Sequence, residues 1–259
     1  MNLLEGQVVV ITGGASGIGR ATALSVAHHG GTVIVGDRSK DPREADVRTI
    51  DLIKEETDAA VRFVKCDVTD RDAVERLIDA AEEFGGIDVM VNNAGVYRGG
   101  PFLDTSEETL DLMLSVNVKG TFFGSQKAAE RMIENGDGGS IINISSIAGL
   151  RGASEAAAYC TSKGAVRQLT SALAAELGQY GIRVNGIYPG TIRTAQAIHD
   201  SHTIPDADSE DAVAGEIPLG RIGEPSEVAK VVIFLASELG TYVNGATLSV
   251  DGGQFATGG

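Results

Sequence analysis

Seven short runs dominated by Val and Ile recur along the chain, and segments with helical spacing lie between most of them. The runs are 7–12 (QVVVIT), 32–37 (TVIVGD), 61–66 (VRFVKC), 87–92 (IDVMVN), 140–145 (SIINIS), 182–187 (IRVNGI) and 246–250 (ATLSV). Runs this short and this apolar suit strands buried on both faces. Helical spacing is clearest at 20–29, 71–84, 107–134, 157–180 and 225–238. Parallel strands need crossover connections, so the alternation predicts an α/β fold: a doubly wound, parallel seven-stranded sheet with helices on both faces. No Pro/Ser-rich linker divides the chain, and residues 1–259 are expected to form a single domain. One stretch breaks the rhythm. Residues 194–223 hold His199, His202, Pro205, Pro218 and six acids with weak periodicity. They are expected to be an irregular substrate-loop insertion near the carboxyl ends of the strands, where ligands bind in such sheets.

Charge narrows the partners. With 21 Lys+Arg against 36 Asp+Glu, the formal net charge is −15. A nucleic-acid binder needs a basic face, and anchoring to anionic lipid needs a polybasic patch, so neither is expected. Only 7 of the cations are Lys. That balance fits a protein kept soluble where salt screens self-repulsion, as in a halophile, with an ordinary acidic cytosolic enzyme as the alternative. Cys66 and Cys160 are too few for a disulfide framework, and His28, His29, His199 and His202 lack zinc-site spacing, so no metal is expected. The first residues lack the basic and apolar regions of a signal peptide, and no apolar run reaches bilayer length. A cytoplasmic location is expected.

The first strand runs into TGGASGIG at 12–19 and then a helix. Gly13, Gly17 and Gly19 form a relative of the dinucleotide fingerprint, in which a tight turn and helix N-terminal amides receive a pyrophosphate. Ser16 and Ile18 belong to the same cradle. Asp37 ends the second strand, 24 residues after Gly13. A carboxylate there accepts from both ribose hydroxyls and repels a 2′-phosphate, which favours NAD over NADP. Arg38 beside it is the complication, since it can lean on a phosphate. Asp67 and Val68 follow the third strand, on the adenine side. Asn93, Ala94 and Gly95 follow the fourth, where small residues permit close backbone approach.

Tyr159 and Lys163 stand one helical turn apart and so share a face. A free phenol titrates near ~10, too high for acid/base work at neutral pH, and a nearby ammonium lowers that value. Ser145 and Ser146 end the fifth strand; a hydroxyl there can hold the substrate oxygen. No G-x-S-x-G elbow surrounds either serine, which argues against a hydrolase.

These motifs, taken in order, resemble the short-chain dehydrogenase/reductase family over essentially the whole chain. The shared pattern is TGGASGIG at 12–19, CDV at 66–68, NNAG at 92–95, Asn117 in SVNVKG, INISS at 142–146, YCTSK at 159–163, NGIYPGTIRT at 185–194 and VDGG at 250–253. The resemblance implies a Rossmann-like fold and a catalytic set of Asn117, Ser146, Tyr159 and Lys163. The family's serine lies 13 residues before its tyrosine, which selects Ser146. In the implied roles Ser146 holds the substrate oxygen and Tyr159 is the general acid or base. Lys163 lowers the Tyr159 pKa and binds the nicotinamide ribose, and Asn117 holds a relay water. Pro189, Gly190, Ile192 and Thr194 are implied to fix the nicotinamide. A homotetramer is also implied, with 107–134 and 157–180 packing across one interface and 250–255 across another.

The expected activity is NAD-dependent hydride transfer between a secondary alcohol, sugar or polyol and its carbonyl form. Polar residues in the expected substrate segments are Tyr97, Arg98, Arg151, Glu155, Tyr188, Arg193 and His199; Arg98, Arg151, Glu155 and Tyr188 are the chosen candidates. Tyr188 is expected to narrow the pocket, and Cys160 to be inert. The runner-up is an NADPH-dependent 3-oxoacyl-carrier-protein reductase, disfavoured by Asp37 and by repulsion between two acidic proteins. A catalytically silent NAD-binding module is the alternative of another class.

Overall fold

A computed structural model describes residues 2–200 and 206–256. His202 and Pro205, singled out in the insertion, lie outside the described residues. The seven strands are β1 Val8–Thr12, β2 Thr32–Asp37, β3 Val61–Lys65, β4 Val89–Asn92, β5 Gly139–Ile144, β6 Ile182–Pro189 and β7 Thr247–Val250. All pair in parallel, in the order β3-β2-β1-β4-β5-β6-β7. The chain winds outward from β1 to β3, then returns past β1 to begin the other half at β4. That reversal leaves a crevice beyond the carboxyl ends of β1 and β4, the place where open α/β sheets bind ligands.

Every residue of β1 is buried, and alternate side chains feed opposite layers. Val8 and Val10 join Leu77, Ile78 and Met132 on one face; Val9 and Ile11 join Val26, Val228 and Val232 on the other. A strand apolar at every position thus serves two cores.

The helices are α1 Gly17–His28, α2 Thr49–Glu56, α3 Arg71–Asp79, α4 Glu107–Met113, α5 Gly120–Asn135, α6 Ala157–Leu177, α7 Ala207–Glu216 and α8 Pro225–Ala236. Three differ from the sequence-based expectation. The single helix expected over 107–134 is divided by a π turn at Leu114–Lys119, which buries Asn117. The short α2 buries only Thr49 and Ile53, too few for a readable stripe. Finally, the insertion is not wholly irregular: it holds α7 and a π turn at Gln196–Asp200. Ile217 and Ile222 form a small core there with Ala197, Ile198 and Val213.

Candidate active site

A cavity of about 790 Å³ opens at the crevice between β1 and β4. Every residue singled out for the dinucleotide lines it except Gly19. The three fingerprint glycines do different jobs. Gly13 and Gly17 take positive φ (68° and 53°), where other residues are strained. At Gly19 a Cβ would come within 2.1 Å of the Gly13 carbonyl oxygen. Gly19 therefore packs α1 against the turn and does not face the ligand space, a correction to its expected role.

Neighbouring motifs hold that turn in place. Gly13 N–H donates to Gly36 O at 2.7 Å. Asn93 Nδ2 donates to the carbonyls of Thr12 (2.9 Å) and Gly13 (3.0 Å). Asp37 Oδ2 accepts from Ala15 N–H at 3.1 Å, and Oδ1 accepts from Arg38 N–H at 2.7 Å. Asp67 Oδ1 accepts from the Thr69 amide and hydroxyl at 2.9 and 2.7 Å. A Cβ on Gly13 would meet the Ala94 backbone at 3.0 Å, and one on Gly95 would lie 3.4 Å from Lys163 Nζ. An elongated cavity floored by bare backbone, with a carboxylate at one end and Tyr159 and Lys163 at the other, fits a nicotinamide dinucleotide.

One element of the cavity wall escaped the motif reading. The charged loop after β2 folds over the glycine turn, where the Gly17 amide donates to the Glu44 carboxylate. Arg43 N–H donates to Ser16 Oγ at 2.8 Å, and its guanidinium pairs with both oxygens of Asp200, each at 2.8 Å. The only sequence signal was the run DPREAD at 41–46.

At the chemical end, Ser146 Oγ accepts from Ala148 N–H at 3.1 Å, and the same hydroxyl draws the Tyr159 phenol pKa downward. Gln196 acts on the phenol in the same direction. Tyr97 stands edge-on to Tyr159, with ring centres 5.0 Å apart. Lys163 Nζ lies 5.8 Å from the Tyr159 ring centre and donates to Ile144 O at 3.1 Å. The expected depression of the Tyr159 pKa by Lys163 is absent from this arrangement. Burial pushes the phenol up to about 12, against a smaller downward pull from Ser146, and pushes Lys163 down to about 8. The ammonium is aimed at a carbonyl rather than at the phenol oxygen, so desolvation dominates both groups.

Asn117 is fully buried. Its Oδ1 accepts from Val96 N–H at 2.9 Å, and its Nδ2 donates to Val96 O and Ser162 Oγ, both at 3.0 Å. It braces the turn after Gly95 against α6 from behind the cavity wall.

Of the four substrate candidates, Arg98 lines the cavity with Tyr97, while Arg151, Glu155 and Tyr188 do not. Tyr188 is fully buried, and a Cβ on Gly186 would fall 2.7 Å from its ring; it is a core residue. Tyr188 shares the even-numbered face of β6 with Ile182 and Val184, which join the core, and it is absent from the cavity lining. Glu155 is exposed at φ 57°, with its carbonyl accepting from Gly100 N–H at 2.7 Å. Arg151 sits half-buried in the turn after β5, beyond the wall. His199 is exposed and also outside the lining. Thr191 and Gln196 line the cavity instead. Among the described residues, no three His, Cys, Asp or Glu are placed to hold a metal ion, and no helix is long and apolar enough to cross a membrane.

A family model described as Enoyl-(Acyl carrier protein) reductase matches residues 13–254. The chain is 42% identical to the L-rhamnose-1-dehydrogenase of Scheffersomyces stipitis over 257 residues, 98% of this chain and 97% of that protein. It is 38% identical to the L-rhamnose 1-dehydrogenase (NAD(P)(+)) of a Sphingomonas species, covering 98% of both. It is also 40% identical to the 3-oxoacyl-[acyl-carrier-protein] reductase FabG of Thermotoga maritima, covering 96% of this chain and 98% of that protein. Among solved structures it resembles a short-chain type dehydrogenase/reductase from Mycobacterium marinum, with TM-score 0.87, 36% identity and coverage of 97% and 96%.

Proposed function

The chain belongs to the short-chain dehydrogenase/reductase family, NAD(P)-dependent oxidoreductases acting on CH–OH groups, and on that premise we propose that it oxidises the anomeric hydroxyl of a deoxy-aldose with NAD. The observation that carries this reading is the polar floor around the Tyr159 hydroxyl: Ser146, Gln196, Thr191 and Arg98 share one cavity with it. A sugar can offer a hydroxyl to each such polar group, whereas an acyl chain matches none of them. Two relatives near 40% identity carry L-rhamnose 1-dehydrogenase names, in keeping with that chemistry.

The nicotinamide, when bound, supplies the hydride acceptor. The chain's own residues do the rest. Ser146, held in place by the Ala148 N–H that donates to its Oγ, keeps its own O–H free to donate to the reacting oxygen. Tyr159 takes the proton from the substrate hydroxyl in oxidation and returns it in reduction. Lys163 donates to Ile144 O beside Tyr159 in the same cavity, placed for the nicotinamide ribose that the family resemblance assigns to it. Asn117 keeps the wall after Gly95 at its distance from Lys163.

Preference for NAD rests on Asp37, whose carboxylate lines the adenosine end of the cavity. Exposed apolar residues support the homotetramer: Leu110 on α4, Phe122 and Ile133 on α5, and Phe255 near the end. One sheet containing all seven strands supports a single domain, and the cytoplasm supplies the cofactor such an enzyme consumes. The alternative, reduction of a 3-oxoacyl group on a carrier protein, is favoured by the likeness to the Thermotoga maritima enzyme. A panel of aldoses and 3-oxoacyl thioesters, assayed with NAD and NADP, separates the two. Turnover of L-rhamnose with NAD at least tenfold above NADP is expected. Activity confined to the thioester with NADPH would overturn the proposal. Asp37→Ala is expected to erase most of the NAD preference.

A further inference from the structure

The turn Gln196–Asp200 lies outside the sheet, yet it borders the cavity of the catalytic hydroxyl. Its first residue, Gln196, lines the cavity with Tyr159 and pulls the phenol pKa slightly down, and Asp200 lines the same cavity. On the N-terminal side the turn is tied down: Ala197 N–H donates to Thr194 Oγ1 at 3.2 Å and Ile198 N–H to Thr194 O at 3.1 Å. Its other end is held by Asp200, whose two oxygens take both terminal nitrogens of Arg43, each at 2.8 Å. The two residues are 157 positions apart and come from opposite walls of the cavity.

Arg43 is itself anchored on the glycine turn. Its backbone N–H donates to Ser16 Oγ, and the next residue, Glu44, takes the Gly17 amide. A continuous run of contacts therefore leads from the glycine turn through Arg43 and Asp200 to the turn that carries Gln196.

We propose that Arg43 and Asp200 are positioning residues: their bidentate pair fixes the turn that carries Gln196, and so sets the substrate-side wall against the Tyr159 hydroxyl. A forked Arg–carboxylate pair defines orientation as well as distance. Arg43 is half exposed and Asp200 24% exposed, so the pair adds little to global stability. Its effect falls on the placement of one short turn. The same contacts link the two ligands. Whatever occupies the Gly17 amide must displace Glu44, the neighbour of Arg43, so cofactor and substrate affinities are coupled through this loop. This inference rests on the reading of Tyr159 as the group that meets the substrate hydroxyl.

The test compares the wild type with Arg43→Ala, Asp200→Ala, Arg43→Lys and the swapped pair Arg43→Asp/Asp200→Arg. Hydrogen exchange of amides 194–200 in the cofactor-free protein is expected to quicken at least tenfold in both alanine variants, with the melting temperature held. The KM for L-rhamnose is expected to rise about five- to twentyfold, more than kcat falls. Arg43→Lys or the swapped pair should recover part of both effects. Unaltered exchange and KM in either alanine variant would overturn the proposal, as would strictly additive losses in the swapped pair. A wild type inert toward sugars refutes the substrate reading instead, and leaves the exchange measurement to judge the pair.

Discussion

At the cofactor end of the cavity the contacts are made largely by backbone and by side chains set directly after strands: Gly13, Asp37, Asp67 and Asn93 each follow or end a paired strand. At the substrate end they are made by a segment outside the sheet, held by a small cluster around Ile217 and Ile222 and by ion pairs. Arg193 bridges Glu210 and Glu224, Arg221 pairs with Glu227 at 2.7 Å, and Arg43 pairs with Asp200. The first kind of wall cannot shift without breaking a sheet. The second can rearrange at the cost of a few exposed pairs, each worth little alone. Within one family, the rigid wall suits the shared cofactor and the adjustable wall suits substrates that vary.

The sharpest break between the two ends comes from Tyr159→Phe. Losing the proton-transferring hydroxyl is expected to cut turnover by about 10²–10⁴-fold while cofactor affinity changes little. Nicotinamide absorbance follows the rate, and a fluorescence titration follows binding. Comparable losses in both would show that Tyr159 holds the dinucleotide rather than the proton.

Next in size is Gly19→Ala, which probes the rigid wall. With the added Cβ only 2.1 Å from the Gly13 oxygen, α1 must move away from the turn, and that strain is expected to cost about 1–3 kcal/mol. Denaturant titration should show the loss, together with weakened cofactor binding.

Lys163→Met separates catalytic need from stability. Burial holds Lys163 at about 8, below its ordinary 10.5. Between those values the unfolded chain carries the extra proton, so stability rises with pH through that window; below about 8 the buried charge is a full penalty. The methionine variant is therefore expected to be more stable than the wild type at pH 7, by on the order of 2 kcal/mol, with the gap closing toward pH 10. Tyr159, with its pKa raised, opposes this trend only above its ordinary value of 10. A gap that widens as pH rises would reverse the sign of the argument. The smallest effect is expected from Arg193→Ala, which loosens the adjustable wall. KM should rise a fewfold and global stability change by less than ~1 kcal/mol.

The cofactor end was largely legible before the structure because its signals are local. A glycine at a turn, an acid at a strand end and a Tyr–Lys pair one turn apart are each set by neighbours in sequence. Asn92 shows the limit: the residue beside the contacting Asn93 is buried, with Nδ2 bonded to Ser125 Oγ at 3.0 Å and Asn143 Oδ1 at 2.9 Å. Strand alternation alone does not tell which of two adjacent asparagines faces the cavity, and the choice of Asn93 rested on its place after the strand. Tyr188 failed for a similar reason, since position next to Pro189 did not disclose which layer of β6 it joins. The loop at 39–48 and the turn at 196–200 were illegible because the pair that joins them, Arg43–Asp200, spans 157 positions and the loop's ties to Ser16 and Gly17 span 27.

Sequence alone determined the seven-stranded plan, the glycine turn, Asp37 at the end of β2, and the candidates Ser146, Tyr159 and Lys163 that the fold brings into one cavity. Periodicity and turn chemistry act over a few residues, so they can be read from a few residues. Tertiary structure alone decided that burial, not the lysine charge, dominates the Tyr159 phenol, that Glu44 takes the Gly17 amide, and that Arg43 meets Asp200 across the cavity. Desolvation and long-range ion pairs depend on what surrounds a group in space, and the packed sheet creates those surroundings.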